Sequence, residues 1–501
     1  MEILNNIFYG FSVAFIPANI LYCFIGVFIG TLIGVLPGIG PVGAMSILLP
    51  VTAQIPPISS IIMLAGIYYG SMYGGSTTSI LVNIPGEAAS VVTCLDGYQM
   101  AKQGRAGPAL GIAAFGSFIA GTLSVVGLAF LAPPLGEWAL KFGPPEYFSV
   151  MVLGMTMLIY LASGSVPKAM MMALVGVLVA SVGMDATSAT QRFTLGILEL
   201  NDGIGLIPLA MGLFGISEVL INVEQGLKRE LAKEKIKGLL PTRQDWKDST
   251  APIARGSLLG FLFGILPGGG GVTSSFISYA VEKRVSRHPE KFGKGAIEGV
   301  AGPESANNAA TGGGFVPLLT LGIPSNPAMA MLLGALLIHG MQPGPLLMQK
   351  QPDLFWGVVT SMYVGNGMLL LLNLPMIGIW VQVLKIPYRI LFPLILLFCL
   401  IGAYSINNSV ADVLIMIFFG IVGYLMRKFE YEGAPLILAY VLGPMLEISL
   451  RQSLTISSGS FAIFFTRPIA AGGMLLAILL ILSPLLPRIR KKRRFPEAFG
   501  E

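Results

Sequence analysis

Charge is scarce in this chain. Asp, Glu, Lys and Arg make up 11% of its 501 residues, against about 25% in soluble globular domains, so a large water-facing surface is excluded. Histidine occurs twice, at His288 and His339, and cysteine three times, at Cys23, Cys94 and Cys399. The cysteines stand far apart in apolar or mixed stretches, which argues against a disulfide framework or metal site, and two histidines are too few for a histidine-based metal centre. No Gly-Lys-Ser/Thr follows the glycine run at 267–271, so that run is not a nucleotide P-loop. There is no His-Glu-x-x-His, no Cys-x-x-Cys and no soluble ATPase domain. The chain is therefore read as a non-enzyme without a cofactor, whose work is driven by an ion gradient, Na⁺ or H⁺. The amino terminus lacks the basic flank of a cleaved signal peptide and is expected to be retained.

What the chain has instead is 54% hydrophobic residues, a mean hydropathy of +0.78, 63 glycines and 34 prolines. That balance describes one polytopic membrane body built from closely packed and often broken helices. The formal charge is +6, and its placement matters more than its size. Seven Lys/Arg lie between Val223 and Thr250, five between Glu282 and Lys294, and six between Arg488 and Arg494. The positive-inside rule places all three stretches in the cytoplasm. Because the last follows an apolar span directly, it reads as a topology anchor and not as a nucleic-acid site.

The chain repeats itself. Residues 26–40 read GVFIGTLIGVLPGIG and residues 256–270 read GSLLGFLFGILPGGG, identical at eight of fifteen positions with an offset of 230. Asn83-Ile84-Pro85-Gly86 corresponds to Gly322-Ile323-Pro324-Ser325 at offset 239, and Asp96-Gly97 faces His339-Gly340. Residues 252–281 are long enough to cross about 30 Å of hydrocarbon at about 1.5 Å per residue, yet basic stretches flank them on both sides. A re-entrant hairpin turning at the Pro-Gly block and opening to the cytoplasm resolves the conflict. The matching hairpin, 19–51, has almost no basic flank and should open to the periplasm.

The fold expected is an all-α polytopic membrane protein of about 11–12 transmembrane helices with two re-entrant hairpins in an inverted repeat. The first repeat covers 1–222, with its hairpin and spans near 58–83, 107–133, 147–163, 166–183 and 204–222. A cytoplasmic linker, 223–251, leads to the second repeat, 252–487. There the spans lie near 295–322, 354–375, 388–405, 410–426, 433–450 and 460–487, followed by the basic tail 488–501. Residues 327–340 form a short half-helix, and the first nineteen residues an interfacial helix. The amino terminus is then periplasmic and the carboxyl terminus cytoplasmic.

Broken helices in inverted repeats are the usual build of secondary transporters, with substrate bound at the repeat interface. One half-helix starts with free N–H groups that attract anions, and the other ends in free carbonyls. The substrate-binding residues expected are Pro37, Gly38 and Gly40 at the first corner, and Ser76, Thr77, Thr78, Asn83, Pro85 and Gly86 around the first Ile-Pro break. Their counterparts are Gly268, Gly269, Gly270, Thr273 and Ser274 at the second corner, and Asn307, Asn308, Pro324 and Ser325 around the second break. These neutral groups can hold a carboxylate without burying a fixed charge. The glycine ladders Gly26/Gly30/Gly34 and Gly256/Gly260/Gly264 are read as helix packing. Glu304 lies about ten residues into its span, hence about 15 Å deep, where an ionisable group marks function. It either ligates a cation, carries a proton, or caps a break at Pro303. Ser305, Thr311 and Asn326 complete the coupling-ion candidates. Glu87 and Asp96 are expected to be interfacial, and Asp412 to lie at a helix start where the dipole favours it.

The blocks Gly34-Val-Leu-Pro-Gly-Ile-Gly-Pro41, Gly264-Ile-Leu-Pro-Gly-Gly-Gly-Gly271 and Gly302-Pro-Glu-Ser-Ala-Asn-Asn-Ala309, with Leu-Thr-Leu-Gly-Ile-Pro ending at Pro324, resemble the large membrane subunit of the bacterial tripartite tricarboxylate transporters. The resemblance runs from roughly residue 15 to 485. It implies a permease of the bacterial inner membrane that works with a small four-span membrane subunit and a periplasmic solute-binding protein. Its substrates would be di- or tricarboxylates, taken up with Na⁺ or H⁺, and by analogy a domain bearing both hairpins would move like an elevator. The competing readings are a passive anion channel, an importer of the same fold for a non-carboxylate solute, and a membrane-embedded enzyme. No catalytic dyad supports the last.

Overall fold

The computed structural model describes residues 2–36, 40–161, 165–185, 187–225, 238–384, 386 and 388–482. Among the described residues the chain is helical apart from connections and one short antiparallel pair, Gly183–Met184 with Gln191–Arg192. In the first half the helices are α1 (Glu2–Ala14), α2 (Pro17–Val35), α3 (Gly40–Thr52), α4 (Pro57–Val82), α5 (Val91–Lys102), α6 (Ala106–Ala139), α7 (Pro144–Leu161) and α8 (Val166–Ala180). Then α9 (Leu206–Ala210) passes through a π-helical turn, Met211–Ile216, into α10 (Ser217–Gln225). The second half holds α11 (Arg243–Ile265), α12 (Gly270–Val285), α13 (Glu298–Leu321), α14 (Pro327–Ile338), α15 (Leu347–Lys350), α16 (Pro352–Asn373) and α17 (Ile377–Val383). It ends with α18 (Tyr388–Asn407), α19 (Val410–Lys428), α20 (Gly433–Ile456), α21 (Ile463–Thr466) and α22 (Pro468–Leu482).

Among the described residues, six helical stretches are long and apolar enough to cross a membrane: Pro17–Val35, Ala106–Ala139, Leu206–Glu224, Pro352–Asn373, Val410–Lys428 and Gly433–Ile456. Together with the shorter apolar helices, they make this an all-α polytopic membrane protein. The expected spans correspond to helices, most to within three residues, while α6 and α20 run about two turns further than their apolar runs suggested. The last expected span divides into α21 and α22. Helix α5 is additional to the expected spans, because Val91–Lys102 is too short and too polar to read as one. Helix α11 starts at Arg243, inside the segment read as linker, where Thr242 and Asp245 form a capping box. The basic tail and Lys228, Arg229, Lys233, Lys235 and Lys237 lie outside the described residues.

The glycine ladders are helix seams. A β-carbon at Gly26, Gly30 or Gly34 would collide with the backbone of Met63, Ile67 or Ser71, respectively. The constant spacing shows that α2 and α4 run side by side in the same direction. Gly256, Gly260 and Gly264 meet Gly302, Ala306 and Ala310 in the same way, so α11 and α13 are also parallel. Two consecutive long helices can run parallel only if the chain between them returns, and α3 and α12 make those returns. The second Pro-Gly corner is therefore the apex of an outgoing helix, α11, and a shorter returning one, α12. Pro37 and Gly38 of the first corner lie outside the described residues.

The breaks also share a geometry. Helix α4 ends on Asn83 and α13 on Gly322, both left-handed, with φ of 58° and 71°. Beyond each, the chain doubles back onto its own helix: Glu87 and Ser90 lie against Gly75, and Ser325 and Asn326 against Gly314. Helix α5 then runs antiparallel to α13, with Thr93 opposite Glu304 and Gly97 opposite Val300.

At Gly260 a β-carbon would stand 2.7 Å from Ala306 Cα, whereas nothing lies within 4 Å of one at Gly378. Gly260→Ala should lower stability by about 1–3 kcal/mol through overpacking, and Gly378→Ala should leave it unchanged. Thermal melting in detergent checks the pair.

Candidate functional site

Four helix starts meet at one cavity. Its volume is about 690 Å³, within the range of about 300–1,000 Å³ usual for small-molecule sites. Gly40 to Gly43 at the start of α3 and Gly268 to Thr273 at the start of α12 line it. The first break contributes Pro85 to Ala89, and the second Asn326 to Ala328 at the start of α14. The opposite wall comes from elsewhere in the chain: Leu213 and Phe214 of the π-helical turn, Glu218 of α10, Gly423, Met426 and Arg427 of α19, and Tyr431 to Ala434.

Two of these starts are closed by their own side chains. Asn326 Oδ1 accepts from Met329 N at 3.1 Å, and Glu87 Oε2 accepts from Ala89 N at 2.6 Å in front of the single turn that leads into α5. No side chain caps α12, which begins on glycines with φ of 77° at Gly268 and 46° at Gly270. Such an N-terminus presents backbone N–H groups and the positive end of the helix dipole to an anion. The corner is tied to the second break, Gly268 N donating to Ser325 O at 2.8 Å. Across the cavity Arg427 pairs with Glu218. It is the one cationic side chain in the described wall.

The expected site residues separate into two groups. Gly40, Pro85, Gly86, Gly268, Gly269, Gly270, Thr273 and Asn326 line the cavity. Pro37 and Gly38 lie outside the described residues, and the others stand outside the lining. Ser274 Oγ donates to Gly270 O at 2.6 Å, and Thr78 Oγ1 to Val35 O at 2.8 Å. Thr77, Pro324 and Ser325 are buried outside the lining, and Asn83 is exposed at the end of α4. Thr311 Oγ1 donates to Asn308 O at 2.6 Å, whereas Ser305 Oγ is buried without a hydrogen bond.

Glu304 is fully buried and lies outside the cavity lining. Helix α13 runs unbroken through Pro303, so Glu304 caps no break there. Its carboxylate instead joins the two halves. Ser76 Oγ donates to Oε2 at 2.5 Å, Thr93 Oγ1 to Oε1, and Asn307 Nδ2 to Oε2 at 3.2 Å. Asn308 Nδ2 donates to Ser117 Oγ at 2.7 Å and to Glu304 O at 3.1 Å. Asp96, expected to be interfacial, is buried against protein: Oδ1 accepts from the backbone N–H groups of Gly293, Gly295 and Ala296 at 2.8–2.9 Å, and Oδ2 from the Tyr279 hydroxyl at 2.9 Å. Glu87, also expected to be interfacial, is buried at the cavity wall. Asp412 does lie in the first turn of α19, behind the Ser409 cap.

Sequence reasoning did not find Thr93, Ser117, Glu218 or Arg427. No sequence spacing marks them; only the fold shows the π-helical turn beside Glu218, and such turns recur at functional sites. Removing Glu304 strands three donors in a dry core. Glu304→Ala should cost at least about 1–3 kcal/mol and Thr93→Val should cost less; both are read from detergent melting curves.

The chain matches the family described as "Tripartite tricarboxylate transporter TctA family" over residues 20–438. It is 51% identical over 493 residues to the "Uncharacterized 52.8 kDa protein in TAR-I ttuC' 3'region" of Agrobacterium vitis, covering 98% of each chain. A second protein of that organism, the "Uncharacterized protein in TAR-II ttuC' 3'region", is 54% identical over 234 residues, which is 47% of this chain and 97% of the relative. No solved structure matches. With the family match covering most of its length, this chain belongs to the tripartite tricarboxylate transporter TctA family.

Proposed function

We propose that the chain is the permease of an ion-driven importer of di- or tricarboxylates. The observation that carries this reading is the shared cavity, at which the start of α3 and the uncapped start of α12 meet a wall containing Arg427. One carboxylate binds to the N–H groups at the starts of α3 and α12, with the Thr273 hydroxyl beside it. A second reaches Arg427, exchanging for Glu218. Guanidinium and carboxylate pair through charge-assisted hydrogen bonds, and Glu218 occupies the cation when no substrate is present.

The two hairpins dip into the bilayer from opposite faces in this reading, as the halves of an inverted repeat. Irregular backbone at that depth needs protein or a water-filled cavity around it, and this cavity provides it. The family's tripartite character supports a small membrane subunit and a periplasmic binding protein as partners in the inner membrane. Arg427, Lys428 and Lys168 cluster at one end of the bundle, where Lys168 Nζ donates to Phe429 O at 2.8 Å. The positive-inside rule makes that end cytoplasmic.

The test is uptake of labelled citrate and succinate by vesicles containing the chain and its partner subunits. Saturable accumulation that collapses with the ion gradient is expected, while leakage without accumulation would mean a channel. Arg427→Gln should raise KM for succinate by about tenfold, the equivalent of losing about 1.4 kcal/mol. Thr273→Ala should raise it less. An unchanged KM in Arg427→Gln would remove that side chain from the site.

A further inference from the structure

Glu87 in the cavity wall and Glu304 behind it are both buried carboxylates, and their surroundings differ in one respect. Both oxygens of Glu304 are occupied by side-chain donors, from Ser76, Thr93 and Asn307. In Glu87, Oε2 accepts from Ala89 N, but Oε1 is buried and has no hydrogen-bond partner among the described residues. Glu87 belongs to the cavity wall and is 7% exposed. A buried carboxylate oxygen without a donor is costly while charged, and a proton on that oxygen removes the charge.

Resting on the carboxylate-importer reading, we propose that Glu87 is the coupling proton site of the transporter, taking up its proton when a substrate carboxylate enters the cavity. The groups facing Glu87 set the direction of the linkage. Glu304 comes from α13, Tyr68 from α4 and Cys94 from α5, while α12 presents Gly271 against Ala89. Glu218, Arg427 and Glu432 line the same cavity. Arg427 already pairs with Glu218, so none of these elements gives Glu87 a cation of its own. An incoming carboxylate adds a like charge to the cavity, and like charges close together cannot both stay ionised. Anion binding therefore favours protonation of Glu87, and protonation favours anion binding by the same factor. The proton enters from the outer solution onto Oε1, crosses with the substrate and leaves when the substrate does. No covalent bond other than O–H is made or broken.

The experiment uses the intact transporter in proteoliposomes and succinate, at pH values where succinate is fully ionised. In weakly buffered alkaline solution, where Glu87 of the empty protein is ionised, the wild-type protein should take up as much as one proton per succinate bound. Glu87→Gln keeps an oxygen able to accept from Ala89 N, so it retains the cap. It should bind succinate without proton uptake, show no pH dependence of KM, and exchange succinate without accumulating it under an imposed pH gradient. Wild-type binding of succinate with no proton uptake would overturn the proposal without recourse to any variant. So would Glu87→Gln accumulating succinate as the wild type does, driven by H⁺ or by Na⁺. If the wild type binds neither succinate nor citrate, it is the carboxylate reading that fails.

Discussion

No side chain fits between the outgoing arm of either hairpin and the helix it lies against. The seams at Gly26, Gly30 and Gly34, and at Gly256, Gly260 and Gly264, bring backbone onto backbone, and much else follows from that contact. Without a hydrophobic driving force between helices in lipid, close packing and hydrogen bonds must hold them together. Small residues permit the first. The closeness extends to the break itself, where a β-carbon at Gly86 would stand 2.6 Å from Gly75 Cα. Corner and break are thereby held against each other, so both helix starts arrive at one place.

Behind the cavity the polar groups are arranged for permanence. Glu304 draws donors from α4, α5 and its own helix, and Asp96 holds the backbone that leads into α13. Removing one partner from such a buried set costs far more than forming the set gains, which makes these contacts good ties and poor exchange sites. The cavity has the opposite character: glycine backbone, an uncapped helix start and an ion pair in which one member can be replaced. That contrast separates the residues that hold the halves together from those suited to a solute that must come and go.

Much of the architecture was legible in the sequence because its causes are local. Proline and glycine stop helices wherever they cluster, so the corner at 267–271 and the Ile-Pro breaks could be located, and apolar runs marked most spans. The glycine ladders were legible too, because a four-residue spacing puts small residues on one helix face. The site was legible only in its first layer. Gly40, Gly268 and Thr273 were found because they adjoin a break, whereas Arg427 and Glu218 reach the cavity from α19 and α10, and no spacing links them to the corners. Thr93 and Ser117 were missed for the same reason. Asn307 and Asn308 carry the right chemistry at the right depth, but helix rotation turns them toward Glu304 and Ser117.

In the proposed importer, the starts of α3 and α12 face one cavity that binds the substrate anion. The most direct measurement of this arrangement is thiol labelling of single cysteines placed at Val42 and Val272, one beside each corner, in protein lacking Cys23, Cys94 and Cys399. A di- or tricarboxylate substrate should slow labelling at both positions to a similar degree and at the same concentration. Protection at one corner alone, or at neither while the substrate is still transported, would contradict the account.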